Sequence, residues 1–406
     1  MRFLLLFIPF IINAANLSFE LFKKESNEKG NTLLIIGGIH GDEPGGYFAP
    51  AFLEKYYEIK SGNVWIIPDL NADSIMANNR GLYDDMNRKF SSIEKNDPDY
   101  DTVTKVKEII LDKKVDLILN LHDGYGFYRN KYENAIFNPN AWGQATIIDQ
   151  EKITGLDKFG NLDEIANQVN DSLNNDNLFK DYHSFGVKNT ETKFKDEQMQ
   201  LSLTFFAVTH NKPAFAIETS KNITDLTHKV IYQLKSIEEF MNIMHIKFER
   251  KFDINNYDDV QKKISDFGKV RVNDNIVFDL SDIKNYTKYV PLKESDNVFK
   301  FEHSLGAYRF IDGRYEIYIG NIKATEFYPQ IFEIAKAEKN IKIEVDGKII
   351  ETPFATQIDI KKDFKIVKSD YRVNIIGFSK AGLDSEDDIL IEEKDIQDNY
   401  SVDNGK

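Results

Sequence analysis

The sequence predicts an α/β domain built on a mainly parallel, mixed sheet, followed by two small all-β modules. Three observations predict it. From about residue 17 to 247, short runs rich in Val, Ile and Leu alternate with longer helical stretches, the pattern of strands covered on both faces by crossover helices. After about residue 250, apolar and polar residues alternate at period two, with Asn-Asp, Asp-Gly and Lys-Ser-Asp turns between them. The length of 406 residues gives room for two or three cores, and a composition of 41% apolar and 29% charged residues is that of a globular chain.

Within the first region, strands are expected at Thr32–Gly37, Asn63–Ile67, Leu117–Asn120 and Ala214–Glu218. Helices are expected at Gly46–Ile59, Tyr100–Lys113, Gly160–Leu178 and Thr224–Lys247. The second region offers Val270–Asp279, Val298–His303, Ala307–Ile311, Arg314–Ile322, Ile341–Val345 and Tyr371–Phe378 as strands. Val345-Asp346-Gly347-Lys348-Ile349 reads as a hairpin. The expected organisation is a leader over residues 1–15, an α/β domain over 16–248, a β module over 249–338 and a second over 339–406. The last ends in an acidic tail from Asp384, and the break between the modules falls near Lys336–Asn340.

Met1-Arg2, the apolar stretch Phe3–Ile12 and the small residues that follow describe a secretory signal peptide, with cleavage after Ala14 or Ala15. The apolar stretch is too short to span a bilayer comfortably, so no stable membrane insertion is expected once it is removed. A net charge of −14 argues against nonspecific nucleic-acid binding. The chain has no cysteine, which excludes disulfides, thiol nucleophiles and thiolate metal sites. A metal would have to be held by His and carboxylate, and only seven His are available.

His40-Gly41-Asp42-Glu43 follows the apolar run Leu33–Ile36 and Gly37-Gly38, so an imidazole and a carboxylate sit three residues apart on a turn at a strand end. His122, after the apolar strand 117–121, stands in a similar setting. Together His40, Glu43 and His122 make a two-His, one-carboxylate set, as in hydrolytic zinc sites. Asp42 and Asp123 adjoin these ligands. They are candidate acceptors for imidazole N–H groups, though a turn aspartate is the commoner meaning of each. Arg80, Asn87 and Arg88 lie in the run 79–90, and guanidinium groups grip carboxylates bidentately. Glu218 closes an apolar strand and is a candidate general base. Strand ends are where ligands bind in such sheets, and these segments are independent in sequence. The other histidines, His183, His210, His228, His245 and His303, read as structural or exposed.

The order HGDE, NR, strand-borne His and strand-end Glu resembles the zinc carboxypeptidases of the carboxypeptidase A-like fold, over roughly residues 30–245. The phrases GGIHGDEPGG and NRGLYDDMNRKF, the leader and the trailing β modules are more narrowly similar to the peptidoglycan DL-carboxypeptidases of helical and curved Gram-negative bacteria. The resemblance implies Zn2+ on His40, Glu43 and His122. It implies that Asn87 and Arg88 hold the terminal carboxylate of the substrate, that Arg80 polarises the scissile carbonyl and that Glu218 is the general base. Trp142 and Thr204 would line the substrate pocket. It further implies a periplasmic enzyme that trims muropeptide tripeptides to dipeptides, releases meso-diaminopimelate and affects cell shape. The β modules would be free to contact other envelope proteins. One known member of that group has Gln at the first His position, where this chain has His40. Asp123 replaces the Ser of the digestive enzymes, and their mobile tyrosine has no clear counterpart, so their specificity does not carry over. Two readings stay open beside this one: a zinc deacylase of N-acyl amino acids, and a non-catalytic cell-wall-binding protein.

Overall fold

The computed structural model describes residues 19–331, 340–369 and 371–397. The expected leader, and all but the last residue of the expected break between the β modules, lie outside them. The chain divides into two compact units. One runs to Ile264 and includes Gly320–Ile322; the other holds Ser265–Ile319 and the residues from Lys323 onward.

The first unit is built on seven strands: β1 (Phe22–Glu25), β2 (Thr32–Ile36), β3 (Asn63–Ile67), β4 (Leu117–Gly124), β5 (Ala145–Ile148), β6 (Gly186–Asn189) and β7 (Ala214–Ser220). Their order across the sheet is β1-β3-β2-β4-β7-β5-β6. The four central strands are mutually parallel, β1 and β5 are antiparallel to their inner neighbours, and β6 runs parallel to β5. This is the mainly parallel, mixed sheet expected. Every residue of β2, β4 and β7 is buried, which explains why those strands read as largely apolar runs in which the polar residues stand out. The helices of seven residues or more are α1 (Pro44–Tyr56), α2 (Tyr100–Ile110), α3 (Leu162–Asn175), α4 (Leu203–Thr209), α5 (Leu226–Ile243) and α6 (Tyr257–Ile264). The sequence texture turns β-like near residue 250, yet α6 is helical and falls in the first unit.

Several elements depart from expectation for local reasons. Helix α1 ends at Tyr56, because Tyr57–Ser61 is extended and pairs with Lys247–Arg250. Strands β4 and β7 run past their expected ends to Gly124 and Ser220, so His122 and Glu218 sit within strands rather than after them. Strands β1, β5 and β6 have only four residues each, too few to establish a period.

In the second unit, Lys269–Val272, Ile276–Asp279 and Phe299–Phe301 form one sheet. Thr287–Pro291, Gly306–Ile311, Arg314–Ile319 and Ile322–Gln330 form another, and Asn340–Val345, Lys348–Pro353, Asp363–Ile366 and Ile391–Glu392 a third. The expected strand Val270–Asp279 is a hairpin turned at Asn273 and Asp274, whose φ values are 51° and 63°. The hairpin at Asp346-Gly347 pairs Val345 with Lys348, and the turn residues have φ of 48° and 77°, as a type I′ turn requires. Tyr371–Phe378 is not a strand. The N–H groups of Val373 and Ile375 donate instead to the side chains of Ser385 (3.0 Å) and Glu386 (2.5 Å), which removes the donors a ladder needs.

The start of α1 fixes how the His40–Glu43 turn meets the sheet. A Cβ on Gly46 would lie 2.6 Å from the carbonyl oxygen of Leu121, so only glycine lets α1 lie this close to β4. Helix propensity favours Ala over Gly by about 1 kcal/mol, but forcing a methyl against a fixed carbonyl costs about 1–3 kcal/mol. Gly46→Ala is therefore expected to lower the thermal midpoint by several degrees. An unchanged or raised midpoint would show that the contact is looser than described.

Candidate active site

His40 and Glu43 come from the turn between β2 and α1, His122 from β4, and Glu218 from β7 directly opposite His122 in the strand register. The His40 Nδ1 lies 3.0 Å from Oε1 of Glu43, and the His122 Nδ1 lies 2.8 Å from Oε2. One ligand atom from each of the three side chains falls within 4.8 Å of the others, and all three residues are buried. Among the described residues this is the one such group of His and acidic side chains.

The donor set fits a divalent metal. His40 Nε2 lies 2.8 Å from Oδ1 of Asp85, which also accepts the N–H of Asn87 at 2.9 Å. A carboxylate there holds a proton on Nε2, so Nδ1, the nitrogen facing Glu43, is the one that would exchange its proton for a metal. The imidazole partner is thus Asp85, not Asp42 or Asp123. Asp42 instead accepts from Lys221 at 2.6 Å. Asp123 points to the other face of β4, where it accepts from the Gly45 N–H at 3.0 Å, Lys229 at 2.9 Å and the Thr219 hydroxyl. Asp123 therefore ties α1 and α5 to the strand that carries His122. Gln233 of α5 adds a bond of 2.8 Å to the His122 carbonyl.

Charge in this cluster is strongly biased. Burial disfavours the His40 cation, but Glu43 and Asp85 outweigh it and push the imidazole up to about 9. Burial would raise Glu43, yet the two imidazoles hold it well below the usual carboxylate range. Burial keeps His122 below its ordinary value. Asp85 is pulled down, against burial, by His40 and the two nearby guanidinium groups. Glu218 moves the other way: burial first, then the neighbouring Glu43 charge, push its carboxyl well above the usual range. A cation among the three ligands would oppose both causes and favour the carboxylate that a base must be.

The nine residues given ligand, catalytic or substrate roles from the sequence, His40, Glu43, Arg80, Asn87, Arg88, His122, Trp142, Thr204 and Glu218, line one cavity of about 190 Å³. Arg80 donates to Glu43 Oε1 at 3.2 Å and to Asp85 at 3.0 Å. Arg88 donates to the Asn87 carbonyl at 3.0 Å. The Asn87 side-chain oxygen accepts the Leu203 N–H at 2.9 Å, which leaves its NH2 group as the donor end. Trp142 packs on Ala145, Ile147 and Ala216, and the Lys188 ammonium sits 4.3 Å from its ring centre. Trp142 thus packs against the sheet and lines the cavity at once. The cavity also includes Asn120, Tyr125, Met199 and Lys221, which carry no sequence signal of their own. Asp85 stood inside the NRGLYDDMNRKF run, but nothing there distinguishes it from Asp84. The five remaining histidines lie outside the cavity.

Residues 5–264 match the family described as the catalytic region of carboxypeptidases controlling helical cell shape, and residues 334–406 match the C-terminal domain of metallo-carboxypeptidases. The chain belongs to this family. It is a metallocarboxypeptidase, and its fold agrees throughout with solved relatives. The tripeptide-bound cell shape determinant Csd4 of Helicobacter pylori is 32% identical, covers 95% of this chain and 94% of its own, and superposes with a TM-score of 0.87. The mDAP-bound form of the same D,L-carboxypeptidase is 33% identical over 94% of each chain, with a TM-score of 0.85. The product-bound form gives 32% and 0.86 over 95% and 94%. No curated protein matches the chain. No helix among the described residues is long and apolar enough to cross a membrane.

Acceptors that orient metal-binding imidazoles are worth about 10–100-fold in metal affinity. Asp85→Ala is expected to weaken metal binding by that factor, measured by competition with a chelator of known affinity. Unchanged affinity would mean that His40 is oriented by other contacts.

Proposed function

We propose that the protein is a zinc-dependent D,L-carboxypeptidase of the periplasm, which hydrolyses the last peptide bond of peptidoglycan tripeptide stems. It would release meso-diaminopimelate, leave dipeptides and so affect cell shape. The observation that carries this reading is the single cavity in which His40, Glu43 and His122 lie beside Arg88 and Asn87. The relatives crystallised with tripeptide and with mDAP support the substrate. The leader-like residues 1–15 support export. The β modules would offer surfaces to other envelope proteins, and the exposed Tyr289 and Phe310 are consistent with that.

In this reading Arg88 and the NH2 group of Asn87 grip the free carboxylate of the substrate, which restricts cleavage to the terminal residue. Trp142 and Thr204 flank the released residue. His40, Glu43 and His122 would hold zinc, which would supply Lewis acidity for the scissile carbonyl and for a water at neutral pH. Glu218 takes a proton from the attacking water and returns it to the leaving amine. The guanidinium of Arg80 has more N–H groups than its two carboxylate partners use and donates to the developing oxyanion, a contribution of roughly 3 kcal/mol.

Two measurements test this. Zinc-loaded protein is given muropeptide tripeptide, tetrapeptide, pentapeptide and an N-acyl amino acid, with products read by mass spectrometry. Diaminopimelate is expected from the tripeptide alone; cleavage of only the N-acyl amino acid would overturn the reading. Glu218→Ala should retain one zinc per chain while turnover falls at least ~100-fold, as for loss of a general base. Tripeptide hydrolysis at the normal rate in this variant would remove Glu218 from the mechanism.

A further inference from the structure

Arg88 and Lys89 are adjacent in sequence, yet only Arg88 lines the cavity; Lys89 is buried outside it, at 9% exposure. Met86–Arg88 is a single 3₁₀ turn. The Arg88 N–H donates to the Asp85 carbonyl at 2.9 Å and the Lys89 N–H to the Met86 carbonyl at 3.1 Å. Successive side chains on such a turn leave about 120° apart, which sends the two cations to different surroundings. One turn of helix does not hold its own shape, because its first hydrogen bonds cost more ordering than they return. Upstream, Asp84 has a φ of 68°, a left-handed conformation that a non-glycine residue adopts at a cost. The turn therefore depends on contacts outside itself.

Asn87 has such a contact through the Leu203 N–H of α4. Arg88 does not: among the described residues it reaches Asp85 only at 4.0 Å and donates to the carbonyl of its own neighbour Asn87. Its place is set by the backbone at 86–90. The Phe90 N–H fixes one end of that backbone, donating to the Leu201 carbonyl at 3.0 Å. Lys89 supplies the rest. Its ammonium donates to the Tyr83 carbonyl and, at 2.8 and 2.9 Å, to the carboxylates of Asp97 and Asp99. Those bonds use all three of its protons. The first closes the loop on itself. The other two tie it to the start of α2, whose Val103, Val106 and Ile110 are fully buried.

Asp99 occupies the N-cap position of α2, where an aspartate ordinarily accepts free helix N–H groups. Its carboxylate makes no such bond and faces Lys89 instead. Burial disfavours the Lys89 cation, but the two carboxylates outweigh it and raise it above its ordinary value. A buried ion pair adds little stability over an apolar replacement; its better-attested use is to fix register. We propose that Lys89 is a positioning residue for exopeptidase selectivity: its ammonium holds the loop 83–89 against α2, so that the Arg88 guanidinium stands where the terminal carboxylate of the substrate binds. This rests on the reading of Arg88 as the partner of that carboxylate and extends it to a residue outside the cavity.

The test uses the zinc-loaded full chain, the wild type beside Lys89→Met, Lys89→Arg and the double variant Asp97→Asn, Asp99→Asn. kcat and KM are measured for muropeptide tripeptide. Ki is measured for the same tripeptide amidated at its terminal main-chain carboxyl, which offers Arg88 no charge. Lys89→Met should raise KM about tenfold or more, as for loosened charge-assisted hydrogen bonds, with kcat and the Ki of the amide each within about threefold of wild type. Zinc content should stay at one per chain, and Lys89→Arg, which keeps a cation between the two carboxylates, should recover most of the lost affinity. If Lys89→Met does not fold, the double variant should show the same selective rise in KM. Equal weakening of tripeptide and amide, loss of zinc, or an unchanged KM in the folded variants would overturn the inference and leave the reading of Arg88 intact. A wild type that binds the amide as tightly as the tripeptide would overturn the reading of Arg88, and the inference with it.

Discussion

The Glu43 carboxylate is 3% exposed and gathers groups from four separate parts of the chain. The His40 imidazole and Arg80 guanidinium face one oxygen, with Lys221 at 3.5 Å, while the His122 imidazole and the Asp123 N–H face the other. A bare carboxylate in this position would carry a desolvation penalty of several kcal/mol, so the cluster persists only because the opposing donors are delivered together. That requirement explains much of the surrounding structure. Strands β2, β4 and β7 must be adjacent and parallel to bring the turn, His122 and Glu218 to one edge. Helix α1 must lie flat on β4, which Gly45 and Gly46 permit. Asp123 must be neutralised from behind, which Lys229 does.

Opposite consequences follow for two carboxylates on the same face. Glu43 is held ionised by the imidazoles, whereas at Glu218 burial and the Glu43 charge outweigh the opposing influence of His40 and Arg80 and drive it toward its protonated form. Divergent environments for neighbouring carboxyl groups are how one cavity separates a permanent ligand from a group that moves protons. A metal in the site would tip Glu218 back toward the carboxylate, coupling readiness of the base to occupancy of the centre.

Much of this was legible in the residues, for physical reasons. Buried parallel strands must be apolar along their whole length, so β2, β3, β4 and β7 stood out, and the ligands that follow or interrupt them stood out as exceptions. The nine residues given ligand, catalytic or substrate roles from the sequence line one cavity because motifs at neighbouring strand ends are brought together by the sheet itself. What stayed hidden depended on tertiary contacts. Asp85 differs from Asp84 only in what it meets. Lys89 reads as one more charged residue beside Arg88 until its bonds to Asp97 and Asp99 are seen. The edge strands β1, β5 and β6 are too short for periodicity, and Tyr371–Phe378 alternates like a strand while side chains of 385 and 386 take its backbone donors.

The central claim is that Glu43, His40 and His122 together hold one metal ion. X-ray absorption at the zinc edge of the purified, zinc-loaded protein tests it directly. The account predicts one zinc per chain, with two imidazole nitrogens and carboxylate oxygen among its ligands, and loss of that signature in Glu43→Gln. Zinc bound with the same spectrum in Glu43→Gln, or no stoichiometric zinc in the wild type, would contradict it.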